Sequence, residues 1–293
     1  MNRRYAIIEA PSVLGLRPTG VETLPDALLR AGLATRLRAR RASRIEPPPY
    51  DDRRDRETLM LNPKGIAEYT PKLANAIAEV LDMDEFPLVL GGDCSIVLGG
   101  LLALRRRGRY GLLFLDGHMD FYQPEANTNG EAASSDLALA TGRGPDIMTT
   151  FDGYRPLVGD ADVVVLGFRD ADESASYGSQ RPPLDMRAID LTEVRRSGAE
   201  ATAREAVDRL SRNELNGFWI HLDADVLDDA IMPAVDYRLP GGLSFGELDT
   251  ILQTALGSPR AVGLEVTVFN PHLDDDGRIA RALVETLVGS LAE

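Results

Sequence analysis

A chain of 293 residues with 46 acidic and 32 basic side chains carries a net charge of −14, which repels nucleic acid and anionic membranes, so neither is expected as a partner. Apolar residues make up 44% of the chain, yet no run approaches the roughly 18–20 residues of a membrane span, and the first residues hold too short an apolar run for a signal peptide. The one cysteine, Cys94, excludes an intramolecular disulfide, and a cytoplasmic protein is the expectation.

Along the chain, short β-rich apolar runs at 5–9, 87–90, 110–115, 162–166, 186–189, 217–222 and 261–266 alternate with helical patterns at 24–31, 64–81, 96–107, 191–210, 245–256 and 278–291. Several of the strands are apolar nearly throughout, as parallel strands buried on both faces must be. The alternation predicts a doubly wound α/β sheet in one domain spanning 1–293. Arg36, Arg38, Arg40, Arg41 and Arg44 read as a solvated face or an oligomer contact. The Pro-rich patch 46–51 and the loop 123–135 read as excursions within the domain.

Active sites of such sheets gather beyond the C-terminal ends of the strands, and this sequence puts its unusual polar residues there. In LLFLDGHMD an apolar strand runs into Asp116, His118 and Asp120 at alternate positions, which share one face if the chain stays extended. In FWIHLDADVLDD, Asp223 and Asp225 again stand two apart, and two such carboxylates repel unless protonated or bound to a cation. His221 shares that face but lies deeper, and is read as a hydrogen-bonded or core histidine rather than a ligand. His272 falls in a loop and is assigned no role. In PLVLGGDCSI a strand ends at Gly91–Gly92 and a helix opens at Cys94, with Asp93 or Ser95 able to cap it. A helix N-terminus favours thiolate. Three readings of Cys94 stay open: a small buried residue, a nucleophile, or a metal ligand.

Taken in order, these segments resemble the ureohydrolase family of arginases, agmatinases and formimidoylglutamases. The family's GGDHS is similar to residues 91–95, its DAHxD to 116–120, its SxDxDxxDP to 222–229, its PGGLS to 240–244, and its GLxxxxxNP to 263–271. The early segment 20–33 matches as well. The resemblance implies a three-layer αβα sandwich around a mainly parallel sheet, a trimer or hexamer, a small-molecule substrate, and two Mn²⁺ ions sharing carboxylates and a hydroxide. By position, one metal is held by Cys94, Asp116, Asp120 and Asp223, the other by Asp116, His118, Asp223 and Asp225. Asp120 also serves as the catalytic residue that orients the hydroxide and shuttles its proton. Asn127 and Asn129 fall where arginases bind the substrate's amino-acid end, and Asp172 matches an aspartate that binds its α-amino group.

The departures from the family pattern narrow the chemistry. Cys94 stands where most members have His, and a thiolate shifts preference from Mn²⁺ toward Zn²⁺, Fe²⁺, Co²⁺ or Ni²⁺. Val268 stands where arginases and agmatinases use a glutamate to grip guanidinium, while Glu265, three residues earlier, is expected on the opposite face. Ala133 takes the place of a loop histidine that serves as a proton shuttle, and Tyr122 replaces a smaller polar residue and narrows the pocket. The leading expectation is a binuclear metallohydrolase cleaving a linear C–N bond of a guanidino-, modified guanidino- or amidine-type substrate. The alternatives are a catalytically impaired or regulatory relative that keeps the metal site, and a metal-free hydrolase with Cys94 as nucleophile and His118 as base.

Overall fold

The computed structural model describes residues 3–292. Among them, β1 (Tyr5–Glu9), β2 (Arg40–Arg44), β3 (Phe86–Leu90), β4 (Gly111–Leu115), β5 (Val163–Leu166), β6 (Arg187–Ile189), β7 (Phe218–Asp223) and β8 (Ala261–Thr267) form one sheet. Its order is β2-β1-β3-β8-β7-β4-β5-β6, and every neighbouring pair is parallel.

Side chains alternate across this sheet and so divide the core in two. Leu113, Leu115, Ile220, Leu222, Leu264 and Val266 pack toward the helices Leu24–Arg30, Phe245–Gly257 and Arg278–Leu291. Ile8, Val89, Leu112, Phe114 and Trp219 pack toward the helices Pro63–Asp82 and Val97–Arg105. Helices therefore cover both faces, and the chain is the expected three-layer αβα sandwich.

Two elements differ from the expectation. Three arginines of the basic cluster, Arg40, Arg41 and Arg44, lie on the edge strand β2, whose RRASR sequence has no apolar alternation to announce it. Their charges, and that of Arg36, are spent within the molecule: Arg41 and Arg44 pair with the buried Glu9 of β1, Arg40 with Glu85, and Arg36 with Glu285. Such charge also discourages further strand addition at an open edge. The helix expected over 191–210 is two, Leu191–Ser197 and Ala199–Leu210, broken at Gly198, whose φ of 86° no helix accommodates.

The centre of the sheet is organised around Trp219, which is fully buried. Gly263 faces it in register on β8, and a Cβ there would collide with the indole. On the covering helix, a Cβ at Gly100 would sit 2.7 Å from the ring. The two glycines form a slot that fixes the register of β7 and β8, and with it the depth of the polar residues that follow. Gly263→Val is expected to lower stability by about 1–3 kcal/mol through overpacking, read as a lower Tm and an altered emission from the chain's one tryptophan. An unchanged Tm and spectrum would show that the slot does not exist.

Candidate metal centre

The central strands β3, β8, β7 and β4 end side by side, and the turns leaving three of them carry the acids and the thiol. After β3 the chain passes Gly92, where any Cβ would collide with the Ser12 carbonyl, and reaches Asp93. That carboxylate accepts from the Ser95 amide at 2.9 Å and the Ser12 hydroxyl at 2.7 Å, and so caps the turn that presents Cys94.

The chain does not stay extended beyond β4 and β7. Strand β4 stops at Leu115, and Asp116 Oδ1 accepts the His118 amide at 2.6 Å to close a turn. Strand β7 stops at Asp223, whose Oδ1 accepts the Asp225 amide at 2.7 Å and opens the 3-10 turn Ala224–Val226. Aspartates favour such local closure by bonding their own backbone two residues on. The turns replace the single converging face expected from alternation with two adjacent donor groups. One comprises Cys94, Asp116, His221 and Asp223, the other Asp116, His118 and Asp225, with the donor atoms of each group within 4.8 Å of one another. Asp116 belongs to both. Asp120, at a positive φ of 45°, belongs to neither, although it lines the same cavity. His221, read from the sequence as a hydrogen-bonded or core histidine, is hydrogen-bonded to Glu265 and also falls in the first group.

The electrostatics follow from burial. Asp116, Asp120, Asp223 and Asp225 are all buried. Burial, and then the charge of Asp225, pushes the Asp116 carboxyl up to about 6. Burial and the neighbouring carboxylates push Asp120 and Asp223 well above the usual carboxylate range. Asp225 moves down: burial opposes this, but His118 Nδ1, 2.9 Å from its Oδ2, outweighs burial. Burial likewise disfavours charge on His118, yet Asp225 and Asp116 raise its imidazole well above the ordinary value. The expected thiolate does not form by itself. Burial, then Asp223, Asp136, Asp116 and Asp120, drive the Cys94 thiol well up, and its sulfur lies 2.8 Å from Asp223 Oδ2 and 3.3 Å from Thr267 Oγ1. The hydrogen-bond partners of Cys94 are thus Asp223 and Thr267, while His118 pairs with Asp225.

A cavity of about 170 Å³ opens over both groups, lined by Cys94, His118, Asp120, Asp223 and Asp225 below and by Tyr122, Asn127, Asn129, Ala133, Glu173, Tyr177, Tyr237 and Val268 around its walls. Asn127 spends its amide on the loop itself, donating to Glu131 O at 2.7 Å and Ser135 Oγ at 2.9 Å and accepting from Gly130 N at 2.9 Å. Asn129 donates to Glu131 Oε2 at 2.9 Å and to Tyr237 Oη at 3.1 Å. Asp172 is exposed on the short helix Ala171–Ser176 and does not line the cavity; the next residue, Glu173, does. Nothing in the motif spacing distinguished those two acids. Val268 faces the cavity with φ of 67°, an outlier for a β-branched residue, its amide donating to Gly92 O at 2.8 Å. Glu265 points to the other side of the cavity floor and meets His221.

The residues fit a pair of cations. Asp116 Oδ2 and His221 Nε2 are buried atoms without a hydrogen-bond partner, and carboxylates with imidazole and thiol supply the donor types that divalent metals take. A pH dependence follows. A carboxyl raised to about 6, like the Asp116 group, favours the fold while protonated, so its penalty is absent near the unfolded value and fully present above about 6. The raised His118 adds stability that is lost as pH rises through its folded value, so both act in one direction, while the lowered Asp225 matters only in stronger acid. The chelator-treated protein is therefore expected to lose Tm as pH rises toward about 6 and further as it rises through the raised His118 value, and added divalent cation to flatten that fall. Identical profiles with and without cation would contradict the assignment.

The same fold recurs in known proteins. The Arginase family pattern matches residues 3–292. The arginase of Brevibacillus brevis is 29% identical across 99% of this chain and 99% of its own length. The arginase of Bacillus caldovelox is 30% identical across 98% of this chain and 97% of its own. The native Bacillus caldovelox arginase structure at pH 5.6 superposes with a TM-score of 0.88 and 26% identity, covering 99% of both chains. The chain belongs to the arginase family, metal-dependent hydrolases that cleave non-peptide C–N bonds of linear amidines.

Proposed function

We propose that this chain is a binuclear metal-dependent hydrolase cleaving a linear C–N bond of a guanidino-, modified guanidino- or amidine-type small molecule. The observation that carries the reading is the shared Asp116: one buried carboxylate common to two adjacent donor groups on a cavity floor. Cys94, Asp116, Asp120 and Asp223 would hold one cation, and Asp116, His118, Asp223 and Asp225 the other. Manganese is the family's metal, and the sulfur of Cys94 favours Zn²⁺, Fe²⁺, Co²⁺ or Ni²⁺ over it. Paired cations supply a hydroxide nucleophile near neutral pH by lowering the pKa of water.

The chain's own residues do the rest. Asp120, buried and held well above the usual carboxylate range, is suited to carry a proton on its carboxyl oxygen and pass it to the departing nitrogen. Asn129, Glu173 and Tyr237 line the wall where a polar substrate tail would rest, and Asn127 holds that wall in shape. Asp172, exposed beside Glu173, would meet only a tail that reaches out of the cavity. Val268 gives the reacting end an apolar wall in place of an anion, which favours a modified guanidino group that is less readily protonated than guanidinium, such as an N-hydroxyguanidine. The trimer or hexamer and the cytoplasmic location belong to the same proposal.

Val268 and Ala133 favour a second reading, a catalytically impaired relative that retains the metals. Assays of guanidino, N-hydroxyguanidino and amidine compounds for released urea, ammonia or amine, with each metal in turn, separate the two. Release well above an Asp223→Ala control supports the hydrolase, and none from any compound supports the impaired relative. For an active substrate, Asp120→Asn is expected to lower kcat by about 10²–10⁴-fold; an unchanged kcat would remove Asp120 from the chemistry. Val268→Glu is expected to improve KM for plain guanidinium compounds by about 10–150-fold, the worth of one charge-assisted hydrogen bond of about 1.5–3 kcal/mol. No improvement would show that this wall does not face the reacting group.

A further inference from the structure

We propose that His221 is itself a metal ligand, its Nε2 completing the cation pocket formed by Cys94, Asp116 and Asp223, with Glu265 holding the imidazole from behind. This rests on the two-cation reading above and extends it to a residue that the sequence pattern placed in the core.

Three constraints fix the ring. His221 and Glu265 face each other in register on β7 and β8, both fully buried, with Nδ1 2.7 Å from Glu265 Oε1. On the other side the ring stacks against Phe114 of β4, with centroids 4.5 Å apart and planes 9° from parallel. With Glu265 ionised, its carboxylate accepts the Nδ1 proton and the tautomer leaves the Nε2 lone pair free. That atom is buried and has no hydrogen-bond partner. The nearest acidic atom, Asp116 Oδ2, lies 4.0 Å away, too far for a hydrogen bond, and it also lacks a partner. Two donors on one ion, each about 2.0–2.3 Å from it, stand no more than about 4.6 Å apart, so the gap suits an ion between them.

His221 adds a nitrogen donor to the cluster of one thiol and two carboxylates, with Asp120 lining the same cavity. With His221, the set is sulfur, nitrogen and two oxygens, which suits zinc, cobalt, iron or nickel better than manganese. A carboxylate bonded to the far nitrogen of a ligating histidine is the usual way of fixing its tautomer and raising its basicity.

Cobalt(II) is the probe. X-ray absorption of cobalt-loaded wild-type protein is expected to show on average one imidazole per cobalt, from His118 and His221 over two ions; half an imidazole per cobalt would overturn the inference without any variant. In equilibrium dialysis, His221→Phe, which keeps the ring stacked on Phe114, is expected to weaken one of two cobalt sites at least 100-fold and to shift the thiolate-to-cobalt absorption. Glu265→Gln is expected to weaken the same site about 10-fold. Wild type binding two cobalt ions with His221→Phe unchanged in affinity and spectrum would overturn this inference alone. Wild type binding no cobalt would overturn the two-cation reading and this inference with it.

Discussion

Four buried carboxylates at the ends of two adjacent strands set the terms for the rest of this molecule. Removing that much like charge from water is affordable only if protons or cations balance it, and the cationic side chains His118 and Arg169 both act chiefly on Asp225. Burial and mutual repulsion push the remaining acids and the thiol toward their neutral forms. A divalent cation inverts that situation, because it stabilises carboxylate and thiolate alike. The scaffold keeps the acids in place whatever balances them: parallel strands buried on both faces, a Trp219 slot that fixes their register, and turns closed by the aspartates themselves.

Those turns determine how the charge is shared. Had the chain stayed extended past Leu115 and Asp223, all its acids would have lain on one face. Instead each turn sends its second polar residue aside, so that His118 and Asp225 meet in one group while Asp223 stays with Cys94, and Asp116 serves both. The apolar wall at Val268 then narrows the chemistry. The backbone keeps a left-handed conformation there that a β-branched side chain tolerates poorly, and the side chain contributes no charge to the cavity.

The layered fold was legible because LLFL, FWI and VVVL are apolar throughout, and only a strand buried on both faces reads that way. The site was legible because Asp and His at alternate positions after such strands have few inexpensive explanations. What escaped was whatever depends on geometry rather than pattern. Strand β2 pairs through its backbone and carries RRASR, so no hydrophobic period marks it. Asp116 and Asp223 bond their own backbones, an option that competes with extended chain but leaves no spacing signature of its own. His221 looked like a core histidine because it lies two residues deeper than Asp223. The role proposed for it rests on Phe114 and Glu265, brought from other strands, which set its ring 4.0 Å from Asp116. Asp172 and Glu173 are adjacent acids on one short helix, and only the turn of that helix decides which reaches the cavity.

The central claim is that these carboxylates are gathered for divalent cations. Anomalous diffraction from crystals grown with cobalt or manganese tests it most directly. The account predicts two anomalous peaks in the cavity floor on either side of Asp116, one beside Cys94 and Asp223, the other beside His118 and Asp225. A floor without anomalous density, its carboxylates protonated and bonded to one another, would contradict it.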